Sequence, residues 1–169
     1  MRLILVRHAE AVDAQSSGTA ADAARVLTEK GHRQALGLKD ALQRIGIKPD
    51  VIASSPAIRA KQTAVALLPL MPTGSELTIT DRLAVDQLRP KKLSKEVVDF
   101  EVKTVIVVGH MPDLSSYAAW LLGAKQRSLY FEKAGAACFS MDDAEITEAS
   151  GVLEWFITPE WYLTESTSC

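Results

Sequence analysis

The sequence contains little cysteine and no long apolar run, and these two features exclude several classes of protein. Cys138 and Cys169 are the only cysteines among 169 residues. They are too few for a disulfide framework and lack metal-ligand spacing, which favours a reducing compartment. The apolar run at residues 3–6 is too short for a signal-peptide core, and no stretch approaches a membrane span. We therefore expect a cytoplasmic protein with no membrane partner.

An excess of one charge is also missing. The chain has 19 Lys and Arg against 21 Asp and Glu, a formal net charge of −2. A surface that binds nucleic acid needs a concentration of positive charge, so we expect no nucleic-acid partner. The length suits one domain, and nothing in the sequence demands a dimer, so we expect a monomer.

Short apolar runs alternate with helix-like segments along the chain, and residues 13–26 between them are expected to be irregular or partly helical. Strands are predicted at residues 3–6, 50–53, 77–80, 104–108, 137–141 and 152–157. Helices are predicted at residues 28–45, 55–68, 93–102 and 114–122. This alternation predicts the α/β class, with three layers and a mostly parallel central sheet. The late strand pair can add one antiparallel edge strand.

Three of the predicted strands end in residues suited to anion binding. The first ends in Arg7 and His8, the second leads through Ser55 to a helix whose first turn holds Arg59, and the strongest ends before His110. Ligands of open α/β sheets bind beyond the carboxyl ends of the strands, where helix N-termini also favour an anion. Each feature alone is more typical of a surface turn. Two guanidiniums beside two imidazoles together predict a phosphate pocket.

These same residues carry a resemblance to a known family. Residues 6–11, VRHAEA, resemble the Arg-His-Gly signature of the histidine phosphatase superfamily, with Ala9 where glycine is usual. Residues 54–64, SSPAIRAKQTA, resemble its second motif, and residues 108–112, VGHMP, resemble its third. The resemblance is strongest to the compact SixA-type phosphohistidine phosphatases, which are also similar in length and in residues 25–31, RVLTEKG.

The resemblance implies a phosphoglycerate-mutase-like fold and a metal-independent phosphatase with no cofactor. By this resemblance His8 is the nucleophile and forms a phosphohistidine intermediate that water hydrolyses. Arg7, Arg59 and His110 would hold the phosphoryl oxygens and stabilise the transition state. Arg25 is a second candidate for contacting phosphate or a protein substrate, and a structural salt bridge is the alternative for it.

The compact length also bears on the substrate. Larger relatives insert a sub-domain that closes over small substrates, whereas residues 1–169 leave little room for one. We therefore expect a single histidine phosphatase domain without an inserted cap, whose open pocket suits phosphohistidine on a signalling or phosphocarrier protein. The alternatives are a small-molecule phosphomonoesterase, a phosphoglycerate mutase, a non-catalytic phosphate-binding regulatory module, and a metal-dependent hydrolase that uses the histidines as ligands.

The proton donor for the leaving group stays open at this point. Asp81 and Asp86 lie between the second and third motifs, where larger relatives carry an acid, and Glu10 lies near the proposed nucleophile. Each is also explained as a loop or capping residue. A phosphohistidine substrate would need such an acid less, because imidazole is a better leaving group than an alkoxide.

Two other features are expected to be structural. His32, flanked by glycine and arginine on the first long helix, is expected to be solvent-exposed. Trp161 and Tyr162 near the C-terminus either form an interaction patch or pack the tail onto the domain.

Overall fold

A six-stranded sheet forms the centre of the computed structural model, which describes residues 1–13, 19–125, 129–142 and 145–163, without the side chains of residues 19 and 20. Residues 14–18 of the segment expected to be irregular lie outside the described residues, as does Cys169. The strands are Arg2–Arg7 (β1), Val51–Ser54 (β2), Thr78–Ile79 (β3), Thr104–Gly109 (β4), Ala136–Ser140 (β5) and Val152–Ile157 (β6).

The strand order confirms the predicted α/β class. The strands are arranged β3-β2-β4-β1-β5-β6. The first four pair in parallel, whereas β5 pairs antiparallel with both β1 and β6. Among the six strands described, only β5 runs in the opposite direction, since β6 is antiparallel to β5. The reversed strand β5 lies one position inside the edge, because β6 covers it.

Five α-helices accompany the sheet in the part of the chain that the structure describes. They are Thr19–Ala23 (α1), Glu29–Arg44 (α2), Ile58–Leu67 (α3), Pro90–Asp99 (α4) and Asp113–Leu121 (α5). Short 3-10 turns follow at Leu68–Leu70, Asp81–Leu83 and Pro159–Trp161. None of the helices in the described ranges combines the length and the apolar character needed to cross a bilayer.

The side chains of the central strands alternate between two buried faces. Leu3 and Leu5 of β1 pack in the cluster that contains residues of α4 and α5. Ile4 and Val6 pack in the cluster that contains residues of α2 and α3. Burying each such side chain contributes about 1.5–3 kcal/mol, so both faces of the sheet stabilise the fold. This two-sided burial is why the central strands are continuously apolar.

The boundaries of α2 follow the capping signals in the sequence. The Thr28 hydroxyl accepts a hydrogen bond from the Gly31 backbone N–H at 3.0 Å, as a helix N-cap does. The helix ends before Gly46, whose φ of 76° is the left-handed conformation that glycine adopts at little cost. The cap and the stop are both where the sequence predicts them.

Two helix boundaries differ from prediction. Helix α3 begins at Ile58, not at Ser55, because the Ser55 backbone N–H still donates to the carbonyl of Val108 at 3.0 Å. Helix α4 spans Pro90–Asp99 where residues 93–102 were predicted, since proline suits a first helical turn and Glu101 has a φ of 53°. The other predicted strands and helices end within one residue of the observed boundaries.

Candidate active site

The parallel register of β1, β2 and β4 brings the three predicted strand ends together. Arg7 at the end of β1 pairs with Gly109 at the end of β4, and Ser54 at the end of β2 pairs with Val108. The His8 backbone N–H donates to the carbonyl of Gly109 at 3.1 Å. Residues that are distant in sequence therefore meet at one edge of the sheet.

His8 is buried and held in one tautomer. Its side chain lies next to β1 with 7% of the residue exposed. Its Nδ1 lies 2.7 Å from the carbonyl oxygen of Ala9, and a carbonyl only accepts, so Nδ1 carries the proton. The Nε2 lone pair then faces Arg59, whose Nε donates to it at 3.2 Å.

Burial keeps His8 neutral. Removal from water is the largest cause that lowers the pKa of His8 to about 3. The neighbouring His110, Arg59 and Arg7 add to this effect, and the hydrogen bond to Ala9 opposes it. A neutral imidazole with a defined free lone pair is the form in which histidine acts as a nucleophile. His8 holds this form at physiological pH.

Arg59 connects the groups of the site. It lies in the first turn of α3 and is only 3% exposed. Besides its bond to His8, its Nη2 lies 3.4 Å from Nδ1 of His110. One turn later on α3, the Thr63 hydroxyl donates to the Arg59 carbonyl at 2.8 Å and accepts from the Ala9 backbone N–H at 3.0 Å. This hydroxyl joins the start of α3 to the residue that follows His8.

His110 is the second buried imidazole and lies beside the first, with ring centroids 5.1 Å apart. Because a guanidinium only donates, Nδ1 of His110 accepts from Arg59, and Nε2 donates to the Ser55 hydroxyl at 2.8 Å. Burial lowers the pKa of His110 to about 4, with the charge of Arg59 adding to the effect. His110 is neutral at pH 7, and Arg59 defines its tautomer.

Arg7 adds a second guanidinium with unused hydrogen-bonding capacity. Its Nη1 donates to the carbonyl of Phe131 at 2.8 Å. Its Nε is buried and has no hydrogen-bond partner among the residues that the structure describes. A buried donor without an acceptor is costly, so this N–H is suited to an anionic oxygen.

Asp22 on α1 also lies at the site, although it belongs to none of the three motifs. Its carboxylate Oδ2 accepts from Nη2 of Arg59 at 2.8 Å, and its backbone carbonyl accepts from Nη1 of Arg59. Oδ1 accepts from Nη1 of Arg25 at 3.0 Å. Burial alone would raise the pKa of Asp22, but the bonds from the two arginines outweigh it and lower the pKa.

Arg25 therefore reaches the site through Asp22. Its Nε also donates to the carbonyl of Val12 at 2.6 Å, which ties the arginine to the segment after β1. Arg25 forms a salt bridge with Asp22, which was one of the two alternatives expected for this arginine. The spacing of three residues between Asp22 and Arg25 is the only sequence signal that could have indicated this pair.

The three candidate acids do not contact the two imidazoles in the described part of the chain. Glu10 accepts from the Thr28 hydroxyl at 3.0 Å and pairs with Lys30 at 3.4 Å, and these bonds outweigh its burial and lower its pKa. Asp81 and Asp86 are both exposed. Asp86 lies in the left-handed region with a φ of 60°.

His32, Trp161 and Tyr162 do not contact the two imidazoles in the described part of the chain. His32 is exposed on α2, as expected. Trp161 is 80% exposed, whereas the Tyr162 hydroxyl donates to the carbonyl of Ala134 at 2.8 Å. In the described ranges, no three His, Cys, Asp or Glu side chains cluster as a metal site would require.

The chain is similar in sequence and in structure to known proteins. Residues 3–84 match the family described as the histidine phosphatase superfamily (branch 1). The structure of the protein histidine phosphatase SixA complexed with tungstate aligns with a TM-score of 0.79 at 21% identity, covering 94% of this chain and 97% of that one. A search of curated protein sequences finds no match to this chain.

Two further solved structures are similar. One, from Agrobacterium tumefaciens and assigned as a phosphohistidine phosphatase SixA, has a TM-score of 0.73 at 28% identity and covers 94% of this chain and 98% of that one. The other is a phosphoserine phosphatase from Entamoeba histolytica in complex with 3-phosphoglyceric acid. It has a TM-score of 0.69 at 18% identity, covering 96% of this chain and 99% of that one.

The family match confirms the resemblance that the motifs predict. It includes His8 and Arg59, and His110 lies beyond it. Over residues 3–84 and in its fold, the chain is therefore similar to phosphatases of the histidine phosphatase superfamily. The similar structures include enzymes named for phosphohistidine and for phosphoserine, so one fold serves both substrate classes.

Proposed function

We propose that this chain is a metal-independent phosphatase that removes the phosphoryl group from phosphohistidine on a signalling or phosphocarrier protein. The observation that carries the proposal is the hydrogen bond from Nδ1 of His8 to the Ala9 carbonyl. It leaves Nε2 unprotonated, with a lone pair that accepts from Nε of Arg59, inside a pocket whose positive charge comes from Arg7 and Arg59. The guanidiniums supply the charge neutralisation that phosphoryl transfer requires.

The reaction has two steps. In the first, Nε2 of His8 forms a bond to phosphorus while the P–N bond to the substrate imidazole breaks, and the leaving nitrogen keeps that electron pair and takes a proton from solvent. In the second, a water oxygen attacks phosphorus and the P–Nε2 bond breaks. The electron pair returns to His8, and inorganic phosphate leaves with the oxygen of the water.

The surrounding donors stabilise both steps. Nε of Arg59 turns from His8 to a phosphoryl oxygen, and the buried Nε of Arg7 gains its acceptor. Removing one preorganised donor of this kind typically costs about 3–4 kcal/mol of transition-state stabilisation. The phosphate charge raises the pKa of His110, so that Nδ1 takes up a proton and becomes a third donor to the phosphoryl oxygens.

The carboxylates near the site support phosphohistidine as the substrate. Among the described residues, Asp22 is the one carboxylate hydrogen-bonded to any of the four proposed site residues, through Arg59, and its lowered pKa keeps it ionised. Glu10 is ionised for a similar reason. An alkoxide leaving group needs a protonated acid, and an imidazole leaving group needs it less. A domain without an inserted cap, as we propose for residues 1–169, would leave room for a protein substrate.

A phosphoenzyme trap tests the proposal. The protein is mixed with a ³²P-labelled histidine-phosphorylated protein, or with labelled phosphoserine, in the presence of a chelator, and is quenched in alkali. We expect label on the wild type and on His32→Ala, which changes an exposed histidine outside the site. The label should be lost in acid and absent from His8→Ala. The phosphohistidine protein should be the better donor.

Two outcomes would contradict the proposal. Better labelling and turnover with phosphoserine would make the protein a phosphomonoesterase of the same superfamily. Tight binding of phosphate with neither label nor turnover would make it a phosphate-binding module.

A further inference from the structure

A groove of about 1010 Å³ opens beside Arg7. Its walls include Lys30 and Arg33 of α2, Tyr130 before β5, and Glu160 after β6. Of the four proposed site residues, Arg7 is the one that lines this groove. His8 and its other partners are nearly fully buried. The groove therefore provides open space directly beside the phosphate-binding arginine.

Tyr130 is a large aromatic side chain held in an exposed position on the wall of this groove. It is 68% exposed, and its ring centroid lies 6.0 Å from Cζ of Arg7. Its neighbour Phe131 is fully buried, accepts the hydrogen bond from Arg7 and packs edge-on against Phe156 at 5.4 Å. The backbone at Tyr130 is thereby anchored to the same arginine that faces the phosphoryl group.

The direction of phosphoryl transfer relates this groove to the substrate. The attacking and leaving atoms lie roughly in line on opposite sides of phosphorus, so the leaving group points away from His8. Since His8 is buried, the leaving group lies on the open side of the pocket. An exposed aromatic face there can stack on a flat ring, whereas it offers little to a leaving group without one.

We propose that the groove beside Arg7 receives the leaving group and that Tyr130 is a specificity-determining residue that stacks on an imidazole ring. This inference rests on the proposed phosphatase function and deepens it. It assigns the preference for phosphohistidine to one side chain outside the phosphate-binding residues.

Two small substrates isolate the ring contact. Phosphoimidazole and phosphoramidate both react by breaking a P–N bond, but only the first carries a ring. Tyr130→Ala should lower kcat/KM for phosphoimidazole about five- to tenfold and change the value for phosphoramidate less than about twofold. Tyr130→Phe, which keeps the ring, should retain the wild-type value. Trp161→Ala is the matched control, because Trp161 is also an exposed aromatic but does not line the groove.

The outcomes separate this inference from the proposed function. A wild type that hydrolyses neither compound and takes no label from a phosphohistidine protein overturns both. If the wild type hydrolyses both compounds, the inference alone is overturned when Tyr130→Ala lowers kcat/KM by the same factor for each compound, or leaves both values unchanged. A melting temperature unchanged by Tyr130→Ala shows that the exposed ring is not needed for folding.

Discussion

Oδ2 of Asp22 lies 2.8 Å from Nη2 of Arg59, and the other carboxylate oxygen lies 3.0 Å from Nη1 of Arg25. A carboxylate thus bridges two guanidiniums with the hydrogen bonds that phosphoryl oxygens would make. The backbone carbonyl of Asp22 occupies a further donor of Arg59. An anion that enters the site must compete with Asp22 for Arg59.

Removing the charge of Asp22 should therefore strengthen anion binding. Asp22→Asn keeps an acceptor oxygen but lacks the negative charge, so the Kd for tungstate should fall about three- to tenfold, the effect being limited because Asp22 is partly exposed. Calorimetric titration measures this change. Asp99→Asn is the control, because Asp99 pairs with Lys95 at 2.9 Å on α4. Weaker tungstate binding by Asp22→Asn would show instead that the ion pair is needed to hold Arg59.

Ser55 should act through His110. Ser55→Ala removes the acceptor for Nε2–H of His110, so the imidazole can rotate, and kcat should fall about tenfold. Ser54→Ala provides a matched control, since Ser54 is equally buried but its hydroxyl donates to the Ser55 carbonyl. Steady-state kinetics and melting temperatures of both variants separate positioning from folding. Equal loss of kcat in the two variants would argue against a role for the His110 contact.

The two buried imidazoles should stay neutral over the physiological pH range. Burial lowers the pKa of His8 to about 3 and of His110 to about 4. Their NMR signals, assigned with His8→Ala and His110→Ala, should not shift between about pH 5 and 8 in the absence of phosphate. Titration of either signal near pH 6.5 would contradict the buried, neutral state.

The same pKa shifts make stability depend on pH. The unfolded chain binds protons at these histidines as the pH falls below about 6.5, whereas the folded chain binds them only near pH 3–4. The unfolded state then holds more protons, so the free energy of unfolding should decrease as the pH falls through this window. Urea denaturation at pH 7 and pH 5 measures the decrease. An equal free energy of unfolding at pH 7 and pH 5 would show that the histidines take up protons without unfolding.

Gly31 should resist substitution even though it lies in a helix. In an exposed helix, replacing glycine with alanine typically stabilises by about 0.5–1 kcal/mol. A Cβ at Gly31 would lie 2.0 Å from the carbonyl oxygen of Glu10, two residues after His8. Gly31→Ala should therefore destabilise the protein by about 1–3 kcal/mol and reduce activity.

Gly37 on the same helix provides the comparison. A Cβ there would meet side-chain carbons of Leu163 and Tyr162 at 2.8–3.2 Å, and such atoms can move aside. Gly37→Ala should cost less in urea denaturation than Gly31→Ala. The reverse order would show that the Glu10 backbone can shift away from α2.

Much of the fold and four of the site residues could be predicted from local sequence pattern. The apolar runs of β1 and β4 indicate strands buried on both faces, because hydrophobic burial depends on residue type and period. The four residues lie at the carboxyl ends of strands or in the first turn of the following helix, so the general position of ligands in α/β sheets places them together: Arg7, His8, Arg59 and His110. The start of α3 was wrong because a backbone hydrogen bond between Ser55 and Val108 extends the strand-like conformation.

Tertiary structure decided which groups meet and in which ionisation state. Asp22 reaches Arg59 across 37 residues, and Arg59 reaches His8 across 51, so neither contact is visible in local spacing. The low pKa of His8 depends on its removal from water by the assembled strands and helices. Arg7 reaches the carbonyl of Phe131, the residue after Tyr130, across 124 residues. Local residue pattern determines strands and helices because their interactions are short in sequence, whereas the register between strands determines the chemistry of the site.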